Sequence, residues 1–222
     1  MIVEAKNIKK RYYTGTSGSL EVLKGISLSF SEGEIVAVVG QSGAGKSTLV
    51  HLLGLLDKPS EGDILFDGEN VTGYSDEKIS KIRNQNIGFV FQFHHLLPEF
   101  SSIENIVMPS LIAGKNGPEQ MLRAQSLLSE VGLSEREHHK PSELSGGEQQ
   151  RIAVARALMN SPKIIFADEP SGNLDAENAE NLHNLLFDLR SEHKQTFVIV
   201  THNKELASRA DRIITISNGL IV

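Results

Sequence analysis

Residues 34–50, EIVAVVGQSGAGKSTLV, contain an apolar strand, a glycine-rich turn and the start of a helix in one unbroken run. The strand is a continuous apolar stretch, which is typical of a strand buried on both faces of a sheet. Residues 40–48 fit the pattern G-x-x-x-x-G-K-[ST] in the strand-to-helix context that the pattern requires. The pattern predicts a phosphate-binding loop. The alternative is a glycine-rich turn that carries a surface lysine.

The residue types of this loop suit a polyphosphate. Its glycines let the backbone curl so that successive N–H groups and the helix N-terminus face phosphate oxygens. Lys46 would reach the β and γ phosphates, and the hydroxyl of Ser47 would ligate Mg²⁺. The residues predicted to contact the nucleotide here are Gly40, Ser42, Gly43, Ala44, Gly45, Lys46, Ser47 and Thr48.

An acidic pair follows a second apolar strand, in residues 164–170, IIFADEP. Open α/β sheets bind their ligands at the carboxyl ends of their strands, where Asp168 and Glu169 fall. Asp168 is the expected Mg²⁺ partner of Ser47, and Glu169 could polarise a water aimed at the γ-phosphorus. Alone, the pair could be two surface carboxylates in a turn. Together with the phosphate loop, it implies hydrolysis of a nucleoside triphosphate.

The remaining pattern predicts an α/β fold with a mainly parallel sheet and two additions. An N-terminal antiparallel sheet comes from IVEAKNI and ISLSF, joined by a loop at residues 14–19, and a closing hairpin turns at Asn218-Gly219. Helical spacing dominates from about residue 93, and in residues 119–133 one face would carry apolar side chains. Those side chains are Leu122, Leu127, Leu128 and Val131. After this insertion the parallel α/β pattern resumes with KIIFADE and TFVIVTH.

The stretch LSGGEQQRIAVARA, residues 144–157, places two glycines in the first turn of a helix. Ser145 and Glu148 form a capping box, S-x-x-E, which does not account for Gly146 and Gly147. A mid-helix glycine costs about 1 kcal/mol relative to alanine, so the pair needs a further reason. Bare backbone amides at a helix start can bind an anion. Since one phosphate loop is already present, a second molecule could supply the nucleotide that this helix meets.

These motifs resemble the ATP-binding cassette (ABC) family, whose signature reads here Leu144-Ser145-Gly146-Gly147-Glu148-Gln149. The resemblance covers essentially the whole chain. It implies one domain, residues 1–222, made of a β subdomain and a RecA-like P-loop core (1–92 and 160–222) and a helical subdomain (about 93–159). It also implies ATP and Mg²⁺ as cofactors and a head-to-tail homodimer, in which residues 145–148 contact the partner's ATP.

The resemblance assigns further residues one by one. Tyr12, or the adjacent Tyr13, matches the aromatic residue that stacks on adenine. Gln92 matches the glutamine that senses Mg²⁺ and the attacking water, and His202 matches the histidine that contacts the γ-phosphate. SGNLD, residues 171–175, matches a loop that crosses the dimer interface. The catalytic set is then Lys46, Gln92, Glu169 and His202, and the metal set is Ser47, Gln92 and Asp168.

Within the family, residues 91–106 and ADEPSGNLD look most like the ATPases of lipoprotein-releasing and macrolide-efflux transporters. This implies integral membrane permease subunits as partners. Phe93, Leu96 and Leu97 would form the docking surface, or else belong to the core of the helical subdomain. The alternatives are a cell-division type of cassette ATPase, a solute-importer ATPase and a nontransport cassette.

Composition sets outer limits on the class of protein. The 222 residues include 22 basic and 28 acidic side chains, and the net charge of −6 argues against a dedicated nucleic-acid binder. No cysteine is present, which excludes disulfides and thiolate metal sites. The first residues lack the apolar segment of a signal peptide, and no apolar run reaches the roughly 18 residues that span a bilayer. We therefore expect a cytoplasmic protein that lies peripherally on the inner face of the cell membrane.

Overall fold

A computed structural model describes residues 1–14 and 18–222. Over these residues the chain forms ten strands and seven α-helices. The strands are β1 (Val3–Thr14), β2 (Gly18–Phe30), β3 (Ile35–Gly40), β4 (Glu61–Phe66), β5 (Glu69–Asn70), β6 (Ile87–Phe91), β7 (Ile164–Asp168), β8 (Thr196–Val200), β9 (Arg212–Ser217) and β10 (Leu220–Ile221). The helices are α1 (Lys46–Leu53), α2 (Asp76–Asn86), α3 (Ser102–Ile112), α4 (Pro118–Glu130), α5 (Gly146–Leu158), α6 (Ala176–His193) and α7 (Lys204–Arg209).

Two sheets organise the chain, and they confirm the predicted fold class. The first is antiparallel, with strand order β2-β1-β4-β5. The second has the order β10-β9-β3-β8-β7-β6, and all of its pairs are parallel except that of β9 with β10. The loop predicted between β1 and β2 falls largely on residues 15–17, which lie outside the described part of the chain.

The inner strands β3, β7 and β8 of the second sheet are buried on both faces, which explains their unbroken apolar sequences. In β8, Val198 and Val200 join a core shared with α1 and the antiparallel sheet. Phe197 and Ile199 point the other way, into a core shared with α3 to α6. Because successive side chains in a strand alternate between faces, both sets must be apolar.

Helix α1 is shorter than its sequence pattern predicts. The apolar run extends to Leu56, but the helix ends at Leu53 with Gly54 as its C-cap, and Leu55 has a φ of +59°. A Cβ on Gly54 would lie 2.2 Å from the ring of Phe89, so the close approach of β6 requires glycine at this position. The left-handed conformation of Leu55 then turns the chain out of the helix.

The helical insertion between β6 and β7 holds α3, α4 and α5, with two short 3₁₀ turns before α5. The predicted apolar face of α4 is wrong at Leu122, whose side chain is 66% exposed. Leu122 lies nine residues before Val131, about 180° around the helix, so these two cannot share a face. Ala124, Leu127 and Leu128 are the buried residues of α4. The predicted subdomain limits near residues 92 and 160 stay a prediction. No helix in the described ranges is long and apolar enough to cross a membrane.

Candidate nucleotide site

The carboxyl ends of the parallel strands bring the predicted catalytic residues to one edge of the sheet. Val200 of β8 lies opposite Val38 of β3 on one side and Asp168 of β7 on the other, and Phe91 of β6 lies opposite Asp168. The chain leaves each strand at this edge. The residues at these strand ends, or just beyond them, include Gly40, Gln92, Asp168, Glu169 and His202.

The phosphate loop connects β3 to α1 without a side-chain cap. Gly45 is the N-cap residue with φ +104°, and no side chain accepts a hydrogen bond from the first turn. A Cβ at Gly45 would lie 2.7 Å from Cδ2 of Leu23, so geometry and space both require glycine. The buried Lys46 donates from Nζ to the carbonyls of Gly40 and Gln41, both at 3.0 Å. The ammonium group of Lys46 is therefore held against the backbone of the loop.

Glu169 is held in an unusual backbone conformation beside His202. Its φ is +49°, a region that costs a non-glycine residue about 1–3 kcal/mol. Its N–H donates to the carbonyl of Val200 at 3.0 Å, and its Oε2 accepts from the N–H of His202 at 3.3 Å. Oε1 lies 3.0 Å from Nε2 of His202, but the angle is not that of a hydrogen bond. Burial raises the pKa of Glu169, and the nearby His202 and Lys46 oppose that shift.

The donor set at the strand edge fits a hard divalent cation. Oδ1 of Asp168 is buried and has no hydrogen-bond partner among the described residues. A buried carboxylate oxygen without a hydrogen-bond partner needs an explanation, and a bound cation would provide one. Ser47, in the first turn of α1, exposes a hydroxyl that could act as a second oxygen ligand.

Gln92 is tied to the turn that follows Glu169. Its Nε2 donates to Oδ1 of Asn173 at 2.9 Å, and Nδ2 of Asn173 donates to the carbonyl of Gln92 at 3.3 Å. The two predicted loops, one at the start of the helical insertion and one after the acidic pair, are therefore fastened to each other. Sequence motifs alone do not report this contact.

The signature segment forms the start of α5 as the capping box predicts. The side chain of Ser145 accepts from the N–H of Glu148 at 3.2 Å, and Oε2 of Glu148 accepts from the N–H of Ser145 at 2.8 Å. Gly147 is buried, and a Cβ there would lie 2.5 Å from Oδ1 of Asn178 on α6. Packing inside the chain therefore requires glycine at position 147. Gly146 is exposed, so packing does not account for it.

The two candidate adenine-stacking tyrosines lie on opposite faces of β1. Oη of Tyr12 donates to Asp57, just beyond α1, at 3.0 Å, and Nζ of Lys10 lies 4.9 Å from the centre of its ring. Tyr13 is 83% exposed. Tyr12 is therefore the tyrosine on the side of the phosphate-loop helix.

Several residues that brace the loop after Gln92 were missed by sequence reasoning. Arg156 of α5 donates to the carbonyls of His94 and His95, at 2.8 and 2.7 Å. Asn105 of α3, fully buried, accepts from the N–H of Leu97 at 2.8 Å and donates to its carbonyl at 3.1 Å. These are tertiary contacts between separate segments, and no local spacing pattern marks them.

Comparison with known proteins agrees with this geometry. The family described as ABC transporter matches residues 23–172. The chain is 53% identical to the lipoprotein-releasing system ATP-binding protein LolD of Porphyromonas gingivalis over 221 residues, which cover all of this chain and 99% of that protein. It is 54% identical to the protein of the same name from Bacteroides fragilis, over 94% of this chain and 97% of that one.

Solved structures give the same result. The dimeric post-hydrolysis structure of the ATP-binding cassette MJ0796, bound to ADP and Pi, superposes with a TM-score of 0.90 at 39% identity, covering 99% of this chain and 96% of that one. CbiO1 of Clostridium perfringens, part of the transporter complex CbiONQ, superposes with a TM-score of 0.87 at 28% identity, covering all of this chain and 86% of that one. The chain belongs to the ABC transporter family, as an ATP-hydrolysing subunit.

Proposed function

We propose that this chain powers lipoprotein release from a membrane, as the ATPase partner of integral membrane permease subunits. The observation that carries the proposal is full-length similarity, at about half of all positions, to proteins named as ATP-binding components of lipoprotein-releasing systems. Macrolide or peptide efflux, solute import, the cell-division type and the nontransport cassettes are the alternatives, and the pull-down below separates solute import and the nontransport cassettes from lipoprotein release. On this proposal the chain lies peripherally on the cytoplasmic face of the cell membrane.

ATP binds across the start of α1 in this proposal. Tyr12 stacks on adenine, the loop from Gly40 to Thr48 wraps the phosphates, and Lys46 pairs with their charge. Ser47 and Asp168 hold Mg²⁺, with Gln92 at the edge of the same site. The ion, when bound, neutralises the charge that develops on the phosphate oxygens.

Glu169 is the general base. Its carboxylate lies at the strand end and is partly buried. Burial raises the pKa of Glu169, so the carboxylate binds a proton more tightly, as a base that takes a proton from water must. His202 fixes this carboxylate through its backbone N–H, so the base keeps one orientation. Gln92 and Asn173, which are bonded to each other, limit the movement of the neighbouring turn.

Each site is completed by a second copy of the chain. The start of α5 exposes Gly146, and Glu148 does not offer its charge to an incoming phosphate because Ser145 and Arg136 hold it back. A head-to-tail dimer places this helix end over the ATP of the other copy. Hydrolysis and phosphate loss remove the charge that joins the two faces, and the dimer opens.

The membrane partner docks on the loop after Gln92. Phe93 is 65% exposed and Leu97 is 38% exposed, whereas Leu96 packs into the core of the helical insertion. An adjoining groove of about 580 Å³ is lined by Leu97 and by apolar side chains of three other elements. These include Leu56, Phe89, Met108 and Ile112. An apolar helix of the permease would fit in this groove. It would lie next to the loop after Gln92, and Gln92 is hydrogen-bonded to the turn that follows Glu169.

The test starts from Glu169→Gln, which should bind ATP, hydrolyse it very slowly and accumulate as a closed dimer. The trapped protein is used to pull partners from native membranes. A permease with few spanning helices and a large extracytoplasmic domain supports the lipoprotein-release or macrolide-efflux type. A many-spanning permease with a solute-binding protein makes the chain an importer subunit, and recovery of only soluble partners points to a nontransport cassette.

The docking surface has its own variant. Leu97→Asp should abolish transport while basal ATP hydrolysis stays at the level of the unchanged protein, because the backbone of Leu97 is held by Asn105 of α3 and its side chain is 38% exposed. Leu122→Asp, at an exposed position of α4, is the matched control and should transport normally. Normal transport by Leu97→Asp would contradict docking at this loop.

A further inference from the structure

A buried histidine that the proposed mechanism does not use lies beneath the turn that follows Glu169. His183 of α6 is 1% exposed, and its Nε2 lies 2.9 Å from Oγ of Ser171. Twelve residues of chain separate the two partners, so this is a contact between the turn and the helix after it, not a local one. A buried polar side chain that makes one well-formed bond is costly to replace with an apolar residue.

The hydrogen bond has a preferred direction. Nδ1 of His183 lies 3.7 Å from Oε2 of Glu180, and that carboxylate also pairs with Arg209 at 3.1 Å. A carboxylate on the Nδ1 side favours the tautomer with its proton on Nδ1. Nε2 is then the acceptor, and the hydroxyl of Ser171 donates to it.

Ser171 lies at a mechanically sensitive point. Two residues earlier, Glu169 has the strained φ of +49°, and its carbonyl accepts from the N–H of Gly172 at 3.0 Å. Two residues later, Asn173 is bonded to Gln92. The turn is therefore fastened on one side by Gln92 and from below by His183, and the strained residue lies between those fastenings and the sheet.

We propose that His183 is a positioning residue for ATP hydrolysis, which fixes the turn after Glu169 through its hydrogen bond to Ser171. His183 is 1% exposed, and it acts through the orientation of the Glu169 carboxylate. The role rests on the proposed function of Glu169 as the base.

A matched pair of substitutions tests the bond separately from the fold. His183→Leu removes the acceptor and keeps a buried side chain of similar size. His183→Gln places an amide near the position of Nε2 and can still bond to Ser171. We expect His183→Leu to lower kcat about 10- to 100-fold with little change in KM, since misplacement of a reacting group by a fraction of an ångström has effects of this order. His183→Gln should keep kcat within about threefold of the unchanged protein.

Ser171→Ala removes the other partner without disturbing a buried helix, so the test survives if His183→Leu does not fold. It should lower kcat as His183→Leu does, and the double variant should be no worse than either single one. Equal loss in the Leu and Gln variants, a change confined to KM, or additive losses in the double variant would overturn the positioning role. If instead the unchanged protein fails to hydrolyse ATP, or Glu169→Gln hydrolyses it normally, the proposed function itself fails.

Discussion

The starts of α1 and α5 both contain glycine, and the two first turns are built in opposite ways. Helix α1 begins at Gly45, with no side-chain cap and with Lys46 as its first residue. The N-cap of helix α5 is Ser145, with a complete capping box, and Arg136 is engaged by Glu148 at 2.9 Å. The start of α1 offers backbone amides and the charge of Lys46, whereas the start of α5 offers backbone amides alone.

On the proposed function, the difference explains how one chain can carry two anion sites of unequal strength. The missing cap of α1 costs about 1 kcal/mol, which the burial of Leu49, Val50 and Leu53 in the main core offsets. Its site is then complete within one molecule. The capping box of α5 uses the amides of Ser145 and Glu148, and the amides that the box does not use belong to the two glycines. The start of α5 is therefore capped within the monomer, and in the proposed dimer its two glycine amides are available to the nucleotide of the other copy.

Lys46→Ala should have the largest effect on the difference between the two helix starts. It removes the charge that distinguishes the start of α1, and we expect ATP hydrolysis to fall by at least about 100-fold, with weaker ATP binding by the monomer. Binding is measured by calorimetry at protein concentrations that keep the chain monomeric, and hydrolysis by phosphate release.

The control for Lys46→Ala is Arg136→Gln at the other helix start. Since Arg136 pairs with Glu148 and serves no nucleotide of its own molecule, the monomer should bind ATP as tightly as the unchanged protein. Loss of ATP binding by the Arg136→Gln monomer would show that the two starts do not differ as described.

The glycine pair of α5 gives the next largest effect. Gly147→Ala should lower the free energy of unfolding by about 1–3 kcal/mol, because its Cβ would lie 2.5 Å from Oδ1 of Asn178. Gly146→Ala meets only Cδ2 of Leu174, at 3.7 Å, and should not destabilise the monomer. Urea unfolding measures both variants.

The same two variants separate stability from assembly. In the Glu169→Gln background, Gly146→Ala should weaken the ATP-dependent dimer, because its methyl group covers the exposed helix end. Size-exclusion chromatography with ATP reports the dimer. A fully dimeric Gly146→Ala variant would mean that the helix end does not meet the partner's nucleotide, and equal unfolding free energies for the two variants would contradict the packing of Gly147 against α6.

Much of this architecture was predictable because its signals are local. The phosphate loop, the acidic pair and the strands that precede them are contiguous motifs, and the hairpin at Asn218-Gly219 follows from a two-residue turn signal. Helix α2 was not predicted because its apolar side chains are only Ile79 and Ile82, a half-buried pair too short to form a clear apolar stripe. Helix α7 has six residues, less than two full turns, which is too short for a periodic pattern.

The place of the candidate site was predictable, but its connections were not. The acidic pair after a buried strand indicated Glu169 and the family resemblance indicated Gln92 and His202, yet the bonds that hold them come from residues distant in sequence. Arg156 and His183 carry no motif, and each acquires its contact only when α5 and α6 pack against the loops. Sequence pattern reports which groups are available for chemistry, whereas their orientation depends on tertiary packing.

Glu148→Gln gives the smallest effect, and it tests why a carboxylate can stand at an anion site. The amide side chain introduced by this substitution would keep the capping geometry but lose the charge that pairs with Arg136, so we expect the free energy of unfolding to fall by about 1 kcal/mol near neutral pH.

The backbone N–H of Ser145 and the guanidinium of Arg136 lower the pKa of Glu148 from 4.5 to about 2. Because the folded-state pKa lies below the unfolded one, the stabilisation is complete above about pH 5 and is lost as the pH falls toward 2. The gap between the two proteins in urea unfolding should therefore narrow from about pH 5 to about pH 3, while Glu135→Gln, at an exposed position, controls for the loss of one acidic charge. A gap that stays constant over this range would mean that the cap of α5 depends on shape alone, and that its charge remains free to oppose the partner's phosphate.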